Sequence, residues 1–178
     1  VMGAKPIIGI FGTTLATRHR WYLSTKADAE QKLWMAEGVA HGFRPWWTAF
    51  GGAPEDRRWM PVVERFYQWH HRHEAYFRNQ ASLAAVGLVY SQQTAAWYGG
   101  AQASEKVYDH FRGLYLALLH ERLPFDLVHE ANLDEAHLAP YRLLVLPNLA
   151  ALSDRQCEQL RRYVARGGSL LATHETSL

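Results

Sequence analysis

The chain has 178 residues, enough for one large domain or two small ones. Hydrophobic residues make up 48% of it, which excludes a disordered chain and predicts a packed core. The net charge of +2 is too small to indicate a nucleic-acid partner, and no apolar run reaches the length of a membrane span. One cysteine excludes an internal disulfide, and since the sequence shows no signal peptide we expect a cytoplasmic location.

The first half predicts two strand–helix units. Residues 7–11 are rich in isoleucine, which is typical of a parallel strand buried on both faces. A helix over about 27–41 is expected next, with a capping box at its start. Its apolar stripe is Ala29, Leu33, Ala36 and Ala40, and Gly42 is its left-handed stop.

The second unit of this half starts with a strand over 43–49, where Pro45 indicates an irregular or terminal strand. A long helix over 55–78 follows, and Pro61 is expected to bend it or delay its start. Because a buried parallel strand needs a neighbour on each side, we expect the first strand to have been cut out of something longer.

The second half predicts a Rossmann-like α/β fold. Ser91–Ser104 is expected to be a loop, and a helix should end near Arg122. A capping box at Ser153 opens a helix that runs to Arg166. The predicted strands are 86–90, 125–129, 143–146 and 169–173.

Ligands of parallel α/β folds lie at the carboxyl ends of the strands. Arginine and histidine donate hydrogen bonds to hydroxyl groups, and tryptophan offers a flat apolar face to a sugar ring. We therefore predict a sugar-binding pocket, and the alternative is that these aromatic residues only pack the rim. The predicted substrate-binding residues are His19, Arg20, Trp21, Trp46 and Trp47.

Other chemistry is poorly supported by the sequence. Hydrolysis of a glycosidic bond usually needs two carboxylates, and neither strand end of the first half carries one. His70 and His73 lack the pattern of a zinc helix, and Cys157 falls on the apolar stripe of a helix rather than on a nucleophile elbow. Gly99-Gly100 lacks the pattern of a phosphate loop. We predict no cofactor, no metal and no catalytic residue within the chain.

The stretch "WYLSTKADAEQKLWMAEGVAHG" resembles the segment after the seventh barrel strand of glycoside hydrolase family 42 β-galactosidases. The stretches "VGLVYSQQTAAWYG", "GLYLALLHERLPFDLVHEANLD" and "YRLLVLPNLAALSDRQCEQLRRYVARGGSLLATHETSL" resemble the domain after that barrel. That domain is the β-galactosidase trimerisation domain, with a glutamine-amidotransferase-like fold. The closer likeness is to the related group that includes the family 151 α-L-fucosidases.

This resemblance implies the last two βα units of a (β/α)₈ barrel over 1–79, a linker over 80–85 and a three-layer amidotransferase-like domain over 86–178. In family 42 the nucleophile is a glutamate, which would fall near Thr13 of this sequence. Because the sequence has no glutamate there, it favours a fucosidase-like enzyme whose nucleophile lies on an earlier strand. The resemblance thus implies part of an exo-acting, retaining glycosidase with α-L-fucoside first and β-galactoside second. It also implies a homo-oligomer, a trimer or larger.

Two further classes remain open at this point. The chain could be a non-catalytic interaction module whose amidotransferase-like half acts by assembly. It could also bind a nucleotide or a flavin. Turnover of nitrophenyl glycosides by the chain would contradict the absence of carboxylates, whereas a nucleotide or flavin would be seen as retained absorbance.

Overall fold

The computed structural model describes residues 7–12, 25–48, 56–77 and 81–176. Every strand pair in these ranges is parallel, which confirms the predicted α/β class. The chain divides into a first unit, Met2–Ala81, and a second unit, Ser82–Leu178. None of the helices described there combines the length and the apolar composition that a bilayer crossing requires.

The first unit consists of two successive strand–helix pairs. Its two strands form a parallel sheet in which Ile10 lies opposite Trp46. A 3₁₀ turn over Glu74–Phe77 closes the second pair. The elements are β1 (Ile8–Gly12), α1 (Asp28–Ala40), β2 (Arg44–Thr48) and α2 (Met60–Arg72).

The predicted inner face of α1 is wrong. Leu33, which belonged to the predicted stripe, is 61% exposed. The predicted capping box is absent as well, since the residue before the helix, Ala27, makes no side-chain cap. The buried face instead has the spacing i, i+4, i+7 and i+8, and it includes an amide side chain. Its members are Gln31, Met35, Gly38 and Val39.

The residues predicted to end α1 and to delay the start of α2 agree better with the structure. Gly42 has a φ of 81°, the left-handed conformation that ends many helices. Pro61 lies in the first turn of α2, where its missing N–H costs no helical hydrogen bond. The helix accordingly begins at Met60 rather than near residue 55. Its Phe66 packs with Met35 and Val39 in the core of this unit.

The second unit has four strands, and all four predicted strands are found. Short helical turns of the α, π and 3₁₀ types fill residues 92–108, which the sequence predicted as a loop up to Ser104. The elements are β3 (Val86–Tyr90), α3 (Gln92–Thr94), α4 (Asp109–His120), β4 (Phe125–His129), α5 (Glu135–Leu138), β5 (Leu143–Pro147), α6 (Asp154–Ala165) and β6 (Ser169–Thr173).

The sheet of the second unit has the order β4-β3-β5-β6. Its first strand in sequence, β3, is therefore an inner strand, with β4 added on one side of it and β5 and β6 on the other. This is the order of doubly wound parallel sheets. The two inner strands carry fully buried side chains, among them Val89, Leu144 and Leu146. Leu160 of α6 packs on them. The hydrophobic core of this unit therefore lies between the central strands and α6.

The start of α6 matches the prediction in detail. Ser153 accepts a hydrogen bond from the backbone N–H of Gln156, and the Gln156 side chain accepts one in return from the Ser153 backbone. The apolar face predicted for this helix was Cys157, Leu160 and Val164, but Val164 is 45% exposed and Tyr163 is buried in its place. The Tyr163 hydroxyl donates to the carbonyl of Tyr141, which satisfies its polar end.

Two side-chain hydrogen bonds join Asp126 of β4 to residues outside that strand. The Asp126 carboxylate accepts a hydrogen bond from the Ser82 hydroxyl at 2.8 Å and another from the Tyr141 hydroxyl at 3.1 Å. Burial and the negative charge of Asp126 raise the pKa of Tyr141 to about 12. Tyr141 therefore keeps its proton, and its hydrogen bond to Asp126, at pH values above the ordinary pKa of a tyrosine.

Replacing Leu144 with alanine should destabilise the protein strongly. Leu144 is 0% exposed on a central strand, and the deleted methyl groups leave a cavity that typically costs about 2–5 kcal/mol of unfolding free energy. Urea denaturation measures this change. Val164→Ala on α6, where the side chain is 45% exposed, is the control and should cost less than about 1 kcal/mol. Equal losses in both variants would contradict this location of the core.

Candidate functional site

Trp46 lies on the uncovered face of the first sheet. Side chains alternate between the faces of a strand, so Trp46 shares its face with Ile8 and Ile10 of the neighbouring strand. These three large apolar side chains are each 54–56% exposed. They form a continuous apolar surface, which we call the open face. The predicted burial of β1 on both faces is therefore not met by the part of the chain that the structure describes.

Trp47 lies on the opposite face, towards the helices. Its ring stacks on Phe11 with the centroids 6.5 Å apart, and both rings pack against the core that contains Phe66. Its indole Nε1 is buried, and no hydrogen-bond partner for it is found among the described residues. The two tryptophans predicted to bind sugar are thus separated by the sheet, and only Trp46 is presented on the open face.

Tyr67 of α2 fixes the backbone of β2 beside these tryptophans. Its hydroxyl accepts a hydrogen bond from the backbone N–H of Trp47 at 3.1 Å and donates one to the carbonyl of Pro45 at 3.0 Å. Burial raises the pKa of the Tyr67 phenol, so the donated hydrogen bond persists over the physiological range. Trp46 lies between Pro45 and Trp47, so Tyr67 of α2 also fixes the backbone position of Trp46.

The three other predicted sugar-binding residues lie outside the described residues. His19, Arg20 and Trp21 fall in the range 13–24, between β1 and α1. Their contribution stays a prediction, as does the binding role of Trp46 and Trp47.

In the second unit a buried carboxylate occupies the carboxyl end of the sheet. Glu130 directly follows β4 and is 7% exposed. Its two carboxylate oxygens accept hydrogen bonds from the backbone N–H groups of Gln92 and Gln93, at 3.0 and 3.1 Å. His129 Nε2 lies 3.5 Å from the same carboxylate. These N–H groups follow β3, where an anionic ligand of a doubly wound fold would bind, so Glu130 takes the place of such a ligand.

The end of β5 is closed by a second polar network. Asn148 is fully buried and adopts a left-handed φ of 51°, which asparagine tolerates better than most residues. Its side chain donates to the carbonyl of Lys106 at 2.6 Å and accepts from the backbone N–H of Glu175 at 3.0 Å. Its own N–H donates to Thr173. All three partners belong to this unit, so the network ties the ends of β5 and β6 together.

Ser91 directly follows β3, but its hydroxyl donates to the Thr94 hydroxyl and accepts from the Thr94 backbone N–H. Cys157 is buried in α6, as the sequence predicted. The described residues also contain no group of three or more histidine, cysteine, aspartate or glutamate side chains that could hold a metal ion. Sequence analysis missed Glu130 and Asn148, although each lies within two residues of the end of a predicted strand.

Together these features define an α/β protein with a doubly wound parallel second unit. The chain belongs to the β-galactosidase trimerisation domain family, whose model matches residues 69–178. This confirms the predicted resemblance. Among curated proteins, no sequence matches the chain.

Solved structures share the fold over nearly the whole chain. A β-galactosidase from Bacillus circulans sp. alkalophilus has a TM-score of 0.77 and 18% identity, over 97% of this chain and 28% of that one. An α-L-fucosidase isoenzyme 2 from Paenibacillus thiaminolyticus has a TM-score of 0.68 and 22% identity, over 94% of this chain and 24% of that one. A β-galactosidase from the psychrophilic Marinomonas ef1 has a TM-score of 0.61 and 23% identity, over 85% of this chain and 26% of that one. The chain thus spans about a quarter of the length of these structures.

Replacing Glu130 with glutamine should destabilise the second unit. The amide keeps one acceptor oxygen but presents an NH₂ donor to a backbone N–H donor, which leaves buried groups unpaired at a cost of about 1–3 kcal/mol. Thermal or urea unfolding measures the loss. The matched control is Glu105→Gln, an exposed carboxylate of the same unit, which should change stability by less than about 0.5 kcal/mol. A neutral effect of the first substitution would refute the proposed role of the carboxylate.

Proposed function

We propose that the chain is the carboxy-terminal part of an exo-acting, retaining glycoside hydrolase whose catalytic carboxylates lie outside these 178 residues. A terminal α-L-fucoside is the first candidate substrate and a β-galactoside is the second. The observation that carries the proposal is the open face of the first unit, where Trp46 stands exposed at the carboxyl half of a parallel strand.

The open face supports a barrel origin for the first unit. Parallel strands occur almost only in sheets that are covered on both sides, because their connecting helices and their neighbours bury them. In β1 and β2 the helix side is packed, while Ile8, Ile10 and Trp46 face outwards from it. Further strands that curve around these side chains would bury them in a barrel interior, and the last residues of such strands line the active site.

The carboxylates that the structure describes near the strand ends do not supply a catalytic pair, and Glu55 lies outside the described residues. Between β1 and α1 the sequence contains no aspartate or glutamate before Asp28. Beyond β2, the Asp56 carboxylate is held by the Arg58 guanidinium at 2.6–3.1 Å. The Arg58 hydrogen bonds keep the pKa of Asp56 far below its usual range, so Asp56 cannot protonate a leaving group. Both catalytic acids are therefore assigned to strands upstream of β1.

The order of the two substrates rests on the residue near Thr13. The resemblance to family 42 would place a nucleophilic glutamate there, and the sequence has Thr13-Thr14 after the end of β1. A fucosidase-like barrel with its nucleophile on an earlier strand is consistent with this difference. The solved β-galactosidases and the α-L-fucosidase share 18–23% identity with the chain, so their likeness concerns the fold and leaves the substrate to experiment.

Assays on nitrophenyl α-L-fucoside and nitrophenyl β-galactoside test this function. We expect no turnover by the 178-residue chain and turnover of the fucoside by the longer protein that also contains the upstream strands. Turnover by the 178-residue chain would contradict our assignment of the catalytic carboxylates to residues outside it. A longer protein inert on both substrates would overturn the glycosidase proposal and favour the alternative, a non-catalytic interaction module.

In the longer protein, Trp46→Ala should lower kcat/KM about 10-fold, because a ring that stacks on the sugar contributes about 0.5–1.5 kcal/mol beyond its buried area. Steady-state kinetics measures the change. Trp97→Ala, which removes an 84% exposed ring of the second unit, is the control and should leave kcat/KM unchanged. Equal activity of both variants would remove Trp46 from the substrate site.

We also propose that the second unit assembles the protein as a homo-oligomer, a trimer or larger. The name of its family supports this, and so do exposed leucines in the helix α4 and the edge strand β4. Leu116, Leu119 and Leu123 follow helical spacing on and just after α4, and Leu127 lies on β4. Each of them is 41–49% exposed. Exposed apolar side chains and an unpaired strand edge are both favourable surfaces for association.

Leu119→Glu combined with Leu127→Glu should convert the oligomer into monomers, because a buried interface does not tolerate unpaired charges. Sedimentation velocity measures the mass. The control is Leu171→Glu on the opposite edge strand β6, where the leucine is 46% exposed. A wild-type chain that sediments as a monomer, or variants that all remain oligomeric, would contradict this surface.

A further inference from the structure

Two histidine rings meet at the end of β6. His110 lies in the first turn of α4 and His174 directly follows β6, so no short sequence motif contains both. Their ring centres are 4.9 Å apart, and the ring planes are inclined by 53°. His174 is exposed and His110 is half-buried, which places the pair at the protein surface. Glu130 and Asn148 occupy the ends of β4 and β5, and this pair occupies the end of β6.

The separation of the two rings matches that of two imidazoles bound to one metal ion. A transition metal lies about 2.0–2.1 Å from an imidazole nitrogen, which is itself about 1.1 Å from the centre of its ring. Bond angles of about 90–110° at the metal then place the two ring centres about 4.5–5.2 Å apart. The 4.9 Å between the centres of His110 and His174 falls within this range.

The nitrogen atoms of this pair are free to turn towards a shared ion. Neither imidazole makes a hydrogen bond or an ion pair with another residue in the described part of the chain. The centre of an imidazole ring lies close to the axis of its Cβ–Cγ bond, and rotation about this bond is soft. Turning either ring therefore redirects its nitrogens and leaves the 4.9 Å between the centres almost unchanged.

One buried residue fixes the backbone on both sides of the pair. The fully buried Asn148 side chain donates to the carbonyl of Lys106, which lies about one helical turn before His110. It also accepts from the backbone N–H of Glu175, the residue after His174. His174 has a φ of 54°, a left-handed conformation of the kind that is concentrated at functional sites. The fold therefore sets the positions of both rings before any ligand binds.

We propose that His110 and His174 bind one borderline divalent transition-metal ion such as Zn²⁺, with water in the remaining coordination positions. Imidazole nitrogen suits Zn²⁺, Ni²⁺ and Cu²⁺, whereas Mg²⁺ and Ca²⁺ prefer oxygen ligands. The nearby Glu175 carboxylate is engaged by the Tyr98 hydroxyl at 2.7 Å, so the protein supplies two ligands. The bound ion joins α4 to the end of β6. The site lies within the second unit and is independent of the glycosidase function proposed above.

Titration of the full chain with Zn²⁺, followed by calorimetry and by thermal unfolding, tests the site. We expect saturable binding with a Kd on the order of 10 μM, weaker than at a site with four protein ligands. The Tm should rise as well, because the ion binds the native fold in preference to the unfolded chain. Mg²⁺ at the same concentrations should have neither effect. A chain that does not bind Zn²⁺, or that binds Mg²⁺ equally well, would overturn the proposal and leave the two rings as a packing contact.

Two variants assign the binding to this pair. His110→Gln removes one imidazole from the helix, and His174→Asn removes the other with a residue that tolerates a left-handed backbone. Each should weaken one equivalent of Zn²⁺ at least about 10-fold, because a single protein ligand remains. His120→Gln, exposed at the end of the same helix, is the matched control and should bind normally. Undiminished binding of every equivalent by His110→Gln or His174→Asn would overturn the proposal.

Paramagnetic broadening locates the ion in the wild-type chain without any substitution. Small additions of Cu²⁺, which imidazole binds more tightly than Zn²⁺, should broaden the amide NMR resonances of His110 and Glu175 first. The histidines of α2, among them His71 beside Glu74, serve as the internal comparison. Broadening that begins at His71 and spares His110 and Glu175 would contradict the proposed site. Metal binding at the pair in a protein without glycosidase activity would uphold this inference and overturn only the proposed function.

Discussion

A parallel strand must be covered on both of its faces, and this requirement organises the whole chain. In the second unit, Leu144 and Leu146 of the central strand β5 are fully buried and α6 packs on the sheet, so the requirement is met within the unit. In the first unit the helices cover one face through Phe11 and Trp47, and the other face presents Ile8 and Trp46. This difference between the two units is the physical basis for the separate roles that we propose for them.

The second unit has turned a ligand-binding edge into a structural one. The N–H groups after β3 are those that would hold an anionic ligand in a doubly wound fold, yet Glu130 already accepts hydrogen bonds from them. Asn148 performs a similar function after β5, with Lys106 and Glu175 as partners. Because these side chains come from the chain itself, the edge is filled permanently. This agrees with the role in assembly proposed for the unit.

Sequence patterns predicted most strands because buried parallel strands are short apolar runs with clear ends. Residues 86–90, 125–129 and 169–173 were predicted with their observed limits. The patterns were less informative for α1, where apolar residues occur around the whole helix and the buried face contains Gln31, a residue no apolar stripe would include. Residues 92–108 were also hard to predict, since π and 3₁₀ turns have no strong periodic signal.

The candidate site could be predicted only in part, for a geometric reason. A rule based on strand ends selects Trp46 and Trp47 together, because they are adjacent in sequence. It cannot say which face each one takes until the register with β1 is known. Glu130 follows a predicted strand and could have been found by the same rule applied to the second unit.

The tyrosine on α2 has a consequence for how this chain can meet other strands. The N–H of Arg44 points to β1, where it bonds to the carbonyl of Ile7, so the N–H of Trp47 and the carbonyl of Pro45 point to the outer edge of β2. Tyr67 occupies both groups, and proline offers no donor of its own. An incoming strand finds this rung of the ladder already taken. A strand that closes the proposed barrel on this edge must therefore displace the phenol or pair further along β2.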